Sequence, residues 1–359
     1  MSDRVSEHSR HTRILMAVLG AVALVAIFSW SFLFMRDSSA PRPVIALVAL
    51  LVGVGGIWGL FLTADHLVGL LPARTRDLLR PYVFITPAFL ILLVYIIYPT
   101  VRTIYISFFD FQRGGTPINF GFQNYLRAFT DPALRIALRN NALWLVFVPL
   151  FAVSLGLVIA VLVDRIKWER FAKSLIFLPM AISFVGASVI WRFIYYRASF
   201  GTQIGLLNAL RVALGEDPLG WLRLEPWNNF FLIIIMIWLQ TGFAMVILSS
   251  AVKGVPSSLL EAARIDGAGE FRIFFQVIIP FVSGAILTVT TTIVILVLKV
   301  FDVVYVMTSG RFNTEVVANM MYNQMFVQGA YGRGAALAVI IFIAVTPVMI
   351  YNIRRMNQV

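Results

Sequence analysis

Eight long apolar segments constrain the fold of this chain more than any other feature. Each is close to or longer than the roughly 20 residues that a helix needs to cross about 30 Å of hydrocarbon. The eight segments lie at about Ile14–Met35, Val44–Leu71, Tyr82–Phe108, Asn140–Val163, Phe171–Tyr195, Asn229–Ala251, Phe281–Val303 and Gly334–Ile353. Of the 359 residues, 60% are hydrophobic and 13% are charged, whereas about half of a soluble domain is apolar. The sequence therefore predicts an all-α polytopic membrane protein with about eight transmembrane helices.

The distribution of lysine and arginine predicts how these helices are oriented. An even number of spans places both termini on the same side of the membrane. With both termini in the cytoplasm, the cytoplasmic segments are roughly twice as rich in lysine and arginine per residue as the outer ones. We therefore expect both termini to be cytoplasmic. The net charge of +12 fits loops that fix topology against anionic lipid, and nucleic acid is not an expected partner.

The first apolar segment allows two interpretations. The arginines before it and Ser38-Ser39-Ala40 after it are compatible with a cleaved signal peptide. However, its apolar run of about 21 residues is longer than a signal core of 7–15 residues, and Arg36-Asp37 intervene before the small residues. A retained span is favoured, and cleavage would leave the orientation of every later span unchanged.

A polar segment, Lys253 to Pro280, separates the sixth and seventh apolar segments. Pro256 cannot continue a helix but suits its first turn. Ser258 and Glu261 have the spacing of a capping box, in which the first side chain caps the helix and the second reaches back. The sequence therefore predicts a short capped helix, with one small apolar face formed by Leu259, Ala262 and Ala263.

A turn and a second short helix are predicted to follow. Gly267 permits the positive φ that ends a helix and reverses the chain. The second helix is expected from about Ala268 to Gln276, with Phe271, Phe274 and Phe275 on one side. A helix of this size is about 12 Å long, which is too short to span a bilayer but long enough to fill a groove.

This polar segment resembles the cytoplasmic EAA loop of ABC importer permeases. That signature reads Glu-Ala-Ala, three residues, Gly, nine residues and Ile-x-Leu-Pro; the chain has Glu261-Ala262-Ala263, Gly267 and Val277-Ile278-Ile279-Pro280 at the same spacing. The resemblance implies a helical hook that docks on an ATPase subunit. The coupling residues it implies are Glu261, Ala262, Ala263, Asp266, Gly267, Phe271 and Pro280. The alternative is an ordinary capped helix-turn-helix in which Glu261 serves only as a cap.

Further motifs are similar to those of carbohydrate importers. They are Gly121-Phe122-Gln123-Asn124-Tyr125 in the first outer loop, Leu178-Pro179, and Phe301–Thr308 at the end of the seventh segment. Trp238–Phe243 and Lys299–Asp302 resemble the F-type maltose permeases, and most closely the α-glucoside permeases. The resemblance covers about residues 80–359. It implies a six-helix type I ABC importer permease core at 81–359, with its coupling loop at 253–280, preceded by two extra helices within 1–80.

Ionisable and polar residues within the predicted spans are candidate functional residues. Lys299 lies one turn before Asp302, so the two side chains are predicted to pair across i,i+3. They either line the sugar route or form a structural ion pair, in which the Lys299 side chain extends towards the membrane surface. Gln240 lies beside Trp238 and Phe243 in the sequence. Either the three residues form part of a sugar site, or Gln240 is an amide that packs between helices. With Tyr305, the candidate substrate-path residues are Trp238, Gln240, Phe243, Lys299, Asp302 and Tyr305.

One departure from the maltose permease bears on substrate binding. Gln240 and Phe243 match positions of its sugar pocket, but Val297 and Val300 stand where that pocket has asparagines. The departure leaves open whether the sugar binds in the same pose. The hydroxyls of Thr288, Thr290, Thr291 and Thr292 are expected to pack or to bond the backbone rather than to bind a ligand.

Several classes of chemistry lack their signatures in the sequence. The chain has no cysteine, and two of its three histidines, His8 and His11, lie in the polar N-terminal tail. No Gly-x-x-x-x-Gly-Lys-Ser/Thr phosphate loop, Gly-x-Ser-x-Gly or His-Glu-x-x-His is present. We expect no enzyme activity, no catalytic residue and no metal or cofactor on this chain. An integral membrane enzyme would need a cluster of acids, bases or ligands, and a secondary transporter would show internal repeats.

The resemblance also implies partners and a mechanism. The partners are a second, homologous permease subunit, two ATPase subunits that bind ATP and Mg²⁺, an extracytoplasmic sugar-binding protein, the sugar and membrane lipid. The expected location is the inner membrane. Transport would proceed by alternating access, with the 253–280 loop transmitting closure of the ATPase subunits to the helices around it.

Overall fold

The computed structural model describes residues 2–111, 117–164 and 166–356. The chain divides into two compact units, Met1–Val101 and Arg102–Val359. Among the described residues, six continuous helices are long and apolar enough to cross a membrane, and the number is eight if each of two bent helix pairs is one span. The predicted polytopic helical architecture with about eight spans is therefore confirmed.

The first unit is built from long helices. They are α1 (Ser2–Asp37), α2 (Arg42–Gly69) and α3 (Ala73–Leu92), which continues through a π-helical turn (Leu93–Ile97) into α4 (Tyr98–Ser107), the helix in which the boundary between the units falls. Helices α1 and α2 approach closely at Gly56, where an added Cβ would lie 2.4 Å from Cζ of Phe28. Most apolar side chains of this unit are exposed, and bilayer hydrocarbon is the medium that accommodates such surface.

The π-helical turn in the third span has an identifiable cause. Pro99 lacks an N–H group, so it cannot donate to the carbonyl of the preceding turn. A π-helical turn is one way in which a helix absorbs such a defect without breaking. Pro87 and Pro99 both lie within this span, whose helix is continuous from Ala73 to Ser107 and changes its winding at 93–97.

The second unit contains all the remaining elements. Its helices are α5 (Gln123–Thr130), α6 (Pro132–Val163), α7 (Glu169–Phe177), α8 (Phe184–Ile194), α9 (Leu206–Ala213), α10 (Asn228–Lys253), α11 (Ser257–Ile265), α12 (Glu270–Ile273), α13 (Ile279–Phe281), α14 (Ser283–Leu298), α15 (Asp302–Met307), α16 (Val317–Tyr322) and α17 (Tyr331–Met356). A short antiparallel hairpin, β1 (Phe109–Phe111) and β2 (Pro117–Phe120), was not predicted. The buried Asn124 supports it, because its Nδ2 donates to the carbonyls of Ser107 and Phe109 at 3.0 and 2.8 Å.

Helices α6 and α10 form the centre of the second unit. At Gly156 an added Cβ would lie 2.6 Å from Cβ of Ala244 and 2.8 Å from the backbone nitrogen of Met245. Trp144 on α6 and Leu232 on α10, about three turns from this contact, are fully buried in the same core. Because lipid tails are as apolar as the side chains, helices associate in a membrane through close packing, which a small residue at the crossing permits.

Two of the predicted spans are bent rather than straight. Helix α7 leads into a 3₁₀ turn at Leu178–Ala181, and α8 then leaves at an angle of 100°. The Oγ of Ser183 accepts from the N–H of Gly186 and so caps α8. A bend of 72° at Val282 separates α12–α13 from α14. The predicted apolar segments Phe171–Tyr195 and Phe281–Val303 each contain one of these bends. Hydropathy did not signal the bends, because it measures the length of an apolar run and not its direction.

A loop at residues 308–316, which we call the strap, connects α15 to α16. Four of its residues have positive φ: Ser309, Gly310, Phe312 and Asn313. Buried asparagines at the starts of α6 and α10 hold it. Nδ2 of Asn140 donates to the carbonyls of Asn313 and Glu315 at 2.7 and 2.8 Å, and Nδ2 of Asn228 donates to that of Phe312 at 2.6 Å. These bonds satisfy buried carbonyls and fix a backbone that is unfavourable for most side chains.

Candidate functional site

The hook at 253–280 has the predicted helix-turn-helix form. Helix α11 ends at Ile265, and Gly267 has a φ of +78°. The N–H of Gly267 donates to the carbonyl of Arg264 at 3.0 Å, and that of Ala268 donates to the carbonyl of Ala263 at 2.9 Å. These two bonds form a Schellman motif, in which a left-handed residue satisfies the last carbonyls of a helix. The predicted role of Gly267 in ending this helix is confirmed.

The predicted capping box is wrong. Pro256 occupies the N-cap position of α11, no side chain caps the helix, and Ser257 is its first residue. Ser258 and Glu261 therefore lie inside the helix, at positions where they cannot form the reciprocal bonds of a capping box. The shift arises because the fixed φ of Pro256 already suits a helix start. The carboxylate of Glu261 is exposed and has no ion pair in the part of the chain that the structure describes.

The hook presents an apolar surface beside Glu261. Ile265 is 86% exposed and Phe271 is 79% exposed, while Ala262 is exposed and Ala263 packs partly against the core. The rings of Phe271 and Phe275 lie 4.8 Å apart, whereas Phe274 turns towards the core. Asp266 is exposed at the C-terminal end of α11. The exposed face thus combines two large apolar side chains with carboxylates.

The second helix of the hook is longer than the predicted Ala268–Gln276. It begins at Glu270, passes through a π-helical turn at Phe274–Ile278 and ends with α13 at Phe281. Pro280 lies inside it, where its missing N–H leaves the carbonyl of the preceding turn without its usual donor. The π-helical turn before Pro280 accommodates this defect, so the proline does not end the helix.

An ion cluster at the base of the hook was missed by the sequence reasoning. Nζ of Lys173 lies 2.5 Å from Oδ1 of Asp164 and 2.7 Å from Oε1 of Glu169. Lys253, at the end of α10, also pairs with Glu169, and Oγ of Ser249 donates to Asp164 at 2.8 Å. The cluster ties the ends of α6, α7 and α10 together. Only the i,i+4 spacing of Glu169 and Lys173 signalled part of it in the sequence.

A cavity of about 670 Å³ lies in the second unit and contains three of the predicted substrate-path residues. These are Gln240 and Phe243 on α10 and Asp302 at the start of α15. Its wall also includes residues 180–185, where the bent span between α7 and α8 changes direction. The structure therefore brings an amide, a carboxylate and an aromatic ring to one enclosed space.

A smaller cavity of about 280 Å³ brings Lys299 beside Asp302. The predicted i,i+3 pairing of the two is wrong, because α14 ends at Leu298 and α15 begins at Asp302, so no helix carries both residues. No ion pair joins them within the described part of the chain. Val297 and Val300 are buried against the core, so the positions where the maltose permease has asparagines contribute hydrophobic packing here.

Trp238 and Tyr305 are not in the lining of either cavity. The ring of Trp238 packs edge-on against Trp191 at 5.8 Å, which fits an aromatic core contact. The ring of Tyr305 stacks on Phe301 and meets Tyr322 edge-on, with centroids 5.0 and 5.1 Å away. The threonines of α14 bond the backbone as expected, because each hydroxyl donates to the carbonyl four residues earlier: Thr288, Thr290, Thr291 and Thr292. Thr292 also lines the larger cavity.

Comparison with known proteins identifies the family. The model of the family of binding-protein-dependent transport system inner membrane components matches residues 132–356. The chain belongs to this family. The match includes α6 to α17, and with them the hook, the ion cluster and both cavities.

Among the described residues, no group of three or more His, Cys, Asp or Glu side chains could hold a metal ion.

Two relatives are similar over most of their length. An osmoprotective compounds uptake permease protein from Synechocystis is 57% identical over 274 residues, which are 76% of this chain and 97% of that protein. An alpha-glucoside transport system permease protein from Rhizobium meliloti is 53% identical over 288 residues, which are 79% of this chain and 84% of that protein. The predicted resemblance to permeases of the α-glucoside type is confirmed.

A solved structure shows the same fold. A bacterial ABC transporter involved in the import of the acidic polysaccharide alginate matches with a TM-score of 0.67 and 17% identity, covering 79% of this chain and 96% of that chain. At this identity the likeness concerns the fold alone. The predicted class, a helical permease of an ABC importer, is therefore confirmed, and the chain is a permease of a binding-protein-dependent transport system.

Proposed function

We propose that this chain is the membrane permease subunit of an ATP-driven importer for α-glucosides and related oligosaccharides. The observation that carries the proposal is the position of two helix breaks. Residues 180–183 interrupt one bent span, and residues 299–301 separate α14, at the end of another, from α15. Both segments line the cavities that hold Gln240 and Asp302. Irregular backbone at membrane depth is tolerated only inside protein or along a water-filled cavity, so these breaks favour a translocation path there.

The chemistry of the path suits a neutral, hydroxylated solute. Gln240 offers donors and an acceptor, Asp302 offers acceptors, and Lys299 offers donors, while Phe243 supplies an apolar face. The opposite charges of Lys299 and Asp302 leave no net charge in the path. A cavity of about 670 Å³ is within the usual range of about 300–1,000 Å³ for small-ligand sites. The similarity to the α-glucoside permease supports the same class of substrate here.

Coupling to ATP is proposed to occur through the hook. One of two ATPase subunits, which bind ATP and Mg²⁺, would receive the exposed face formed by Glu261, Ala262, Ile265 and Phe271. A second, homologous permease subunit would complete the path, and an extracytoplasmic binding protein would deliver the sugar. The hook requires both termini to be cytoplasmic, in agreement with the distribution of lysine and arginine. This chain itself would not catalyse a reaction, since it has no phosphate loop.

The proposal is tested by uptake into proteoliposomes that contain the complete transporter. A labelled α-glucoside and the binding protein are added outside, with ATP and Mg²⁺ inside. Gln240→Ala should lower uptake at least ten-fold, whereas Gln328→Ala, which changes an exposed glutamine outside both cavities, should not. Uptake that is independent of ATP would refute the importer mechanism.

The relative for osmoprotective compounds supports one alternative substrate class. If a non-glycosidic osmolyte such as betaine is transported and α-glucosides neither enter nor compete, the substrate part of the proposal is wrong. If α-glucosides compete fully with any transported osmolyte, both share the path and the proposal holds.

A further inference from the structure

A third cavity, of about 470 Å³, lies apart from the proposed translocation path. Its wall contains three arginines and three aromatic side chains: Arg192, Arg197, Arg223, Tyr195, Tyr196 and Trp221. The cavity lies between the end of α8 at Ile194 and the start of α10 at Asn228. Because both helices belong to membrane spans and both terminate here, the cavity lies at the depth where hydrocarbon gives way to water.

The arginines of this cavity converge without a balancing acid. An added Cβ at Gly220 would lie 3.9 Å from Nη1 of Arg197 and 3.8 Å from Cβ of Arg223. Within the described residues, none of the three guanidinium groups pairs with a carboxylate, in contrast to the neighbouring Arg211, which pairs with Glu216 at 2.7 Å. The guanidinium of Arg223 lies 5.6 Å from the ring centroid of Phe312, a contact that leaves its charge unbalanced. Three guanidinium groups without a carboxylate partner at a concave surface form a strong site for a phosphate or carboxylate.

The walls of the cavity are held by a buried asparagine. Asn208 on α9 is fully buried, and its Nδ2 donates to the carbonyls of Tyr196 and Leu219, each at 3.0 Å. Its Oδ1 accepts from the N–H of Leu219 at 2.9 Å and from Nε1 of Trp221 at 3.1 Å. These four bonds satisfy the amide completely and fix both sides of the cavity. The cavity is therefore a built feature of the loop rather than a chance gap between mobile side chains.

An exposed apolar surface continues from the cavity along the same loop. Phe200 is 94% exposed and Ile204 is 73% exposed, and on α9 Leu206 and Leu210 are 63% and 57% exposed. A guanidinium cluster beside a large apolar surface matches the two parts of a phospholipid. Tyrosine and tryptophan are also enriched at the membrane–water interface, where their rings contact the glycerol region and their polar groups reach water.

We propose that this cavity binds the phosphate group of an anionic phospholipid, with the acyl chains along the apolar surface of Ile204, Leu206 and Leu210. A basic pocket between membrane helices is a recognised kind of lipid headgroup site. A sugar would not require three cations, and the exposed apolar surface next to the arginines favours a lipid over a binding protein. The bound lipid would stabilise the loop that joins the spans on either side of the cavity.

The test measures lipid binding by the assembled transporter, purified in a neutral detergent, using native mass spectrometry with added phosphatidylglycerol or phosphatidylcholine. The test variant is Arg197→Gln/Arg223→Gln. The matched control is Arg135→Gln/Arg333→Gln, which removes two exposed arginines at the starts of α6 and α17, outside the cavity. A cation near the headgroups contributes about a five-fold change in binding, so the test variant should bind phosphatidylglycerol roughly 25-fold more weakly. Phosphatidylcholine binding should be unchanged in both variants.

Three results would overturn the proposal. Equal loss in both double variants would mean that general surface charge attracts the lipid. Binding of inorganic phosphate that depends on Arg197 and Arg223, without a preference for phosphatidylglycerol, would make the cavity a site for a free anion. Loss of binding-protein association in the test variant, with lipid binding intact, would make it a protein-docking site.

Gly205→Ala serves as a second variant, because an added Cβ would lie 2.0 Å from the carbonyl oxygen of Tyr196 and distort the cavity without removing charge. It should also weaken phosphatidylglycerol binding.

Discussion

Substitution of Gly267 isolates the backbone conformation of the hook from every other property of that position. Its φ of +78° belongs to the left-handed region, and an added Cβ would meet no atom within 4 Å. A side chain at this position therefore creates no steric clash with its surroundings. The whole effect of a substitution must come from the intrinsic preference of the new residue for this conformation, together with any loss of the N–H group.

The structure predicts a graded series of costs. Asparagine tolerates the left-handed region better than other side chains, so Gly267→Asn should be mildest. Gly267→Ala should cost about 1–2 kcal/mol, and the β-branched side chain of Gly267→Val should cost more. Gly267→Pro should be the most severe, at about 3 kcal/mol or more, because φ is locked near −65° and the bond to Arg264 is lost. Since α11 has only nine residues, it depends on this cap.

The assay is the ATPase activity of the purified transporter with and without the binding protein and sugar. Each 1.4 kcal/mol changes the population of the native hook relative to misfolded forms about ten-fold. Where the native hook is only marginally favoured, substrate-stimulated ATPase activity should be highest for Gly267→Asn and lower for Gly267→Ala and Gly267→Val in turn. It should be lowest for Gly267→Pro. Membrane insertion, measured by the yield of the intact chain, should remain unchanged.

Gly269 provides a matched control within the same loop. It has a φ of −69° and a ψ of 160°, and an added Cβ would again meet no atom within 4 Å. Any side chain tolerates this extended conformation, so Gly269→Val should retain coupling. Normal sugar uptake by Gly267→Val, or equal losses from valine at 267 and at 269, would refute the argument.

Three further predictions concern docking, the N-terminal helices and a buried carboxyl. Glu261→Gln should weaken ATPase-subunit association in detergent pull-down about ten- to a hundred-fold, because it removes a charge-assisted bond of roughly 1.5–3 kcal/mol. Ser258→Ala removes no cap and should leave this association unchanged. Equal, small effects of both substitutions would mean that the apolar face supplies the docking energy. A truncation that starts near Arg74 removes two spans and should retain some transport. The reason is that a match that includes 97% of one relative covers only 76% of this chain. Complete loss of transport in a correctly assembled complex would contradict this prediction. Burial raises the pKa of Glu315, so its contribution to stability is fully present below the pKa of the unfolded chain and is lost as pH rises through the folded value. Glu315→Gln should therefore raise thermal stability at pH 8 and not at pH 4, and a pH-independent difference would show that the charge is not the cause.

The sequence predicted those features of the hook that depend on one residue and a fixed spacing. Gly267 is such a case, because glycine has a special preference for the left-handed conformation and the following turn needs it. The capping box failed because two signals competed over one turn. Serine and glutamate at the right spacing predicted an N-cap at Ser258, whereas the N-cap is Pro256, two residues earlier. Local spacing alone does not decide between such signals.

Four of the six candidate path residues line the two cavities, but the predicted geometry of Lys299 and Asp302 is wrong. Lys299 and Asp302 were paired on the assumption of a continuous helix, yet the chain leaves the helix at Lys299. They nevertheless line the same cavity, because a polar residue in a span must lie away from lipid whichever way the backbone turns. The ion cluster around Glu169 was not predictable, since it combines side chains from α6, α7 and α10 whose approach is fixed by packing.

The two bent spans give the proposed mechanism a physical basis. The hook continues through α12 and α13 to Val282, which is buried, and then through α14 to the break at Lys299. Beyond that break, α15 leads into the strap, which Asn140 and Asn228 fasten to the starts of α6 and α10. A displacement of the hook therefore reaches a helix that ends at the cavity, while the segment after it is anchored. Such an arrangement would let the hook change the shape of the cavity, which is one part of alternating access.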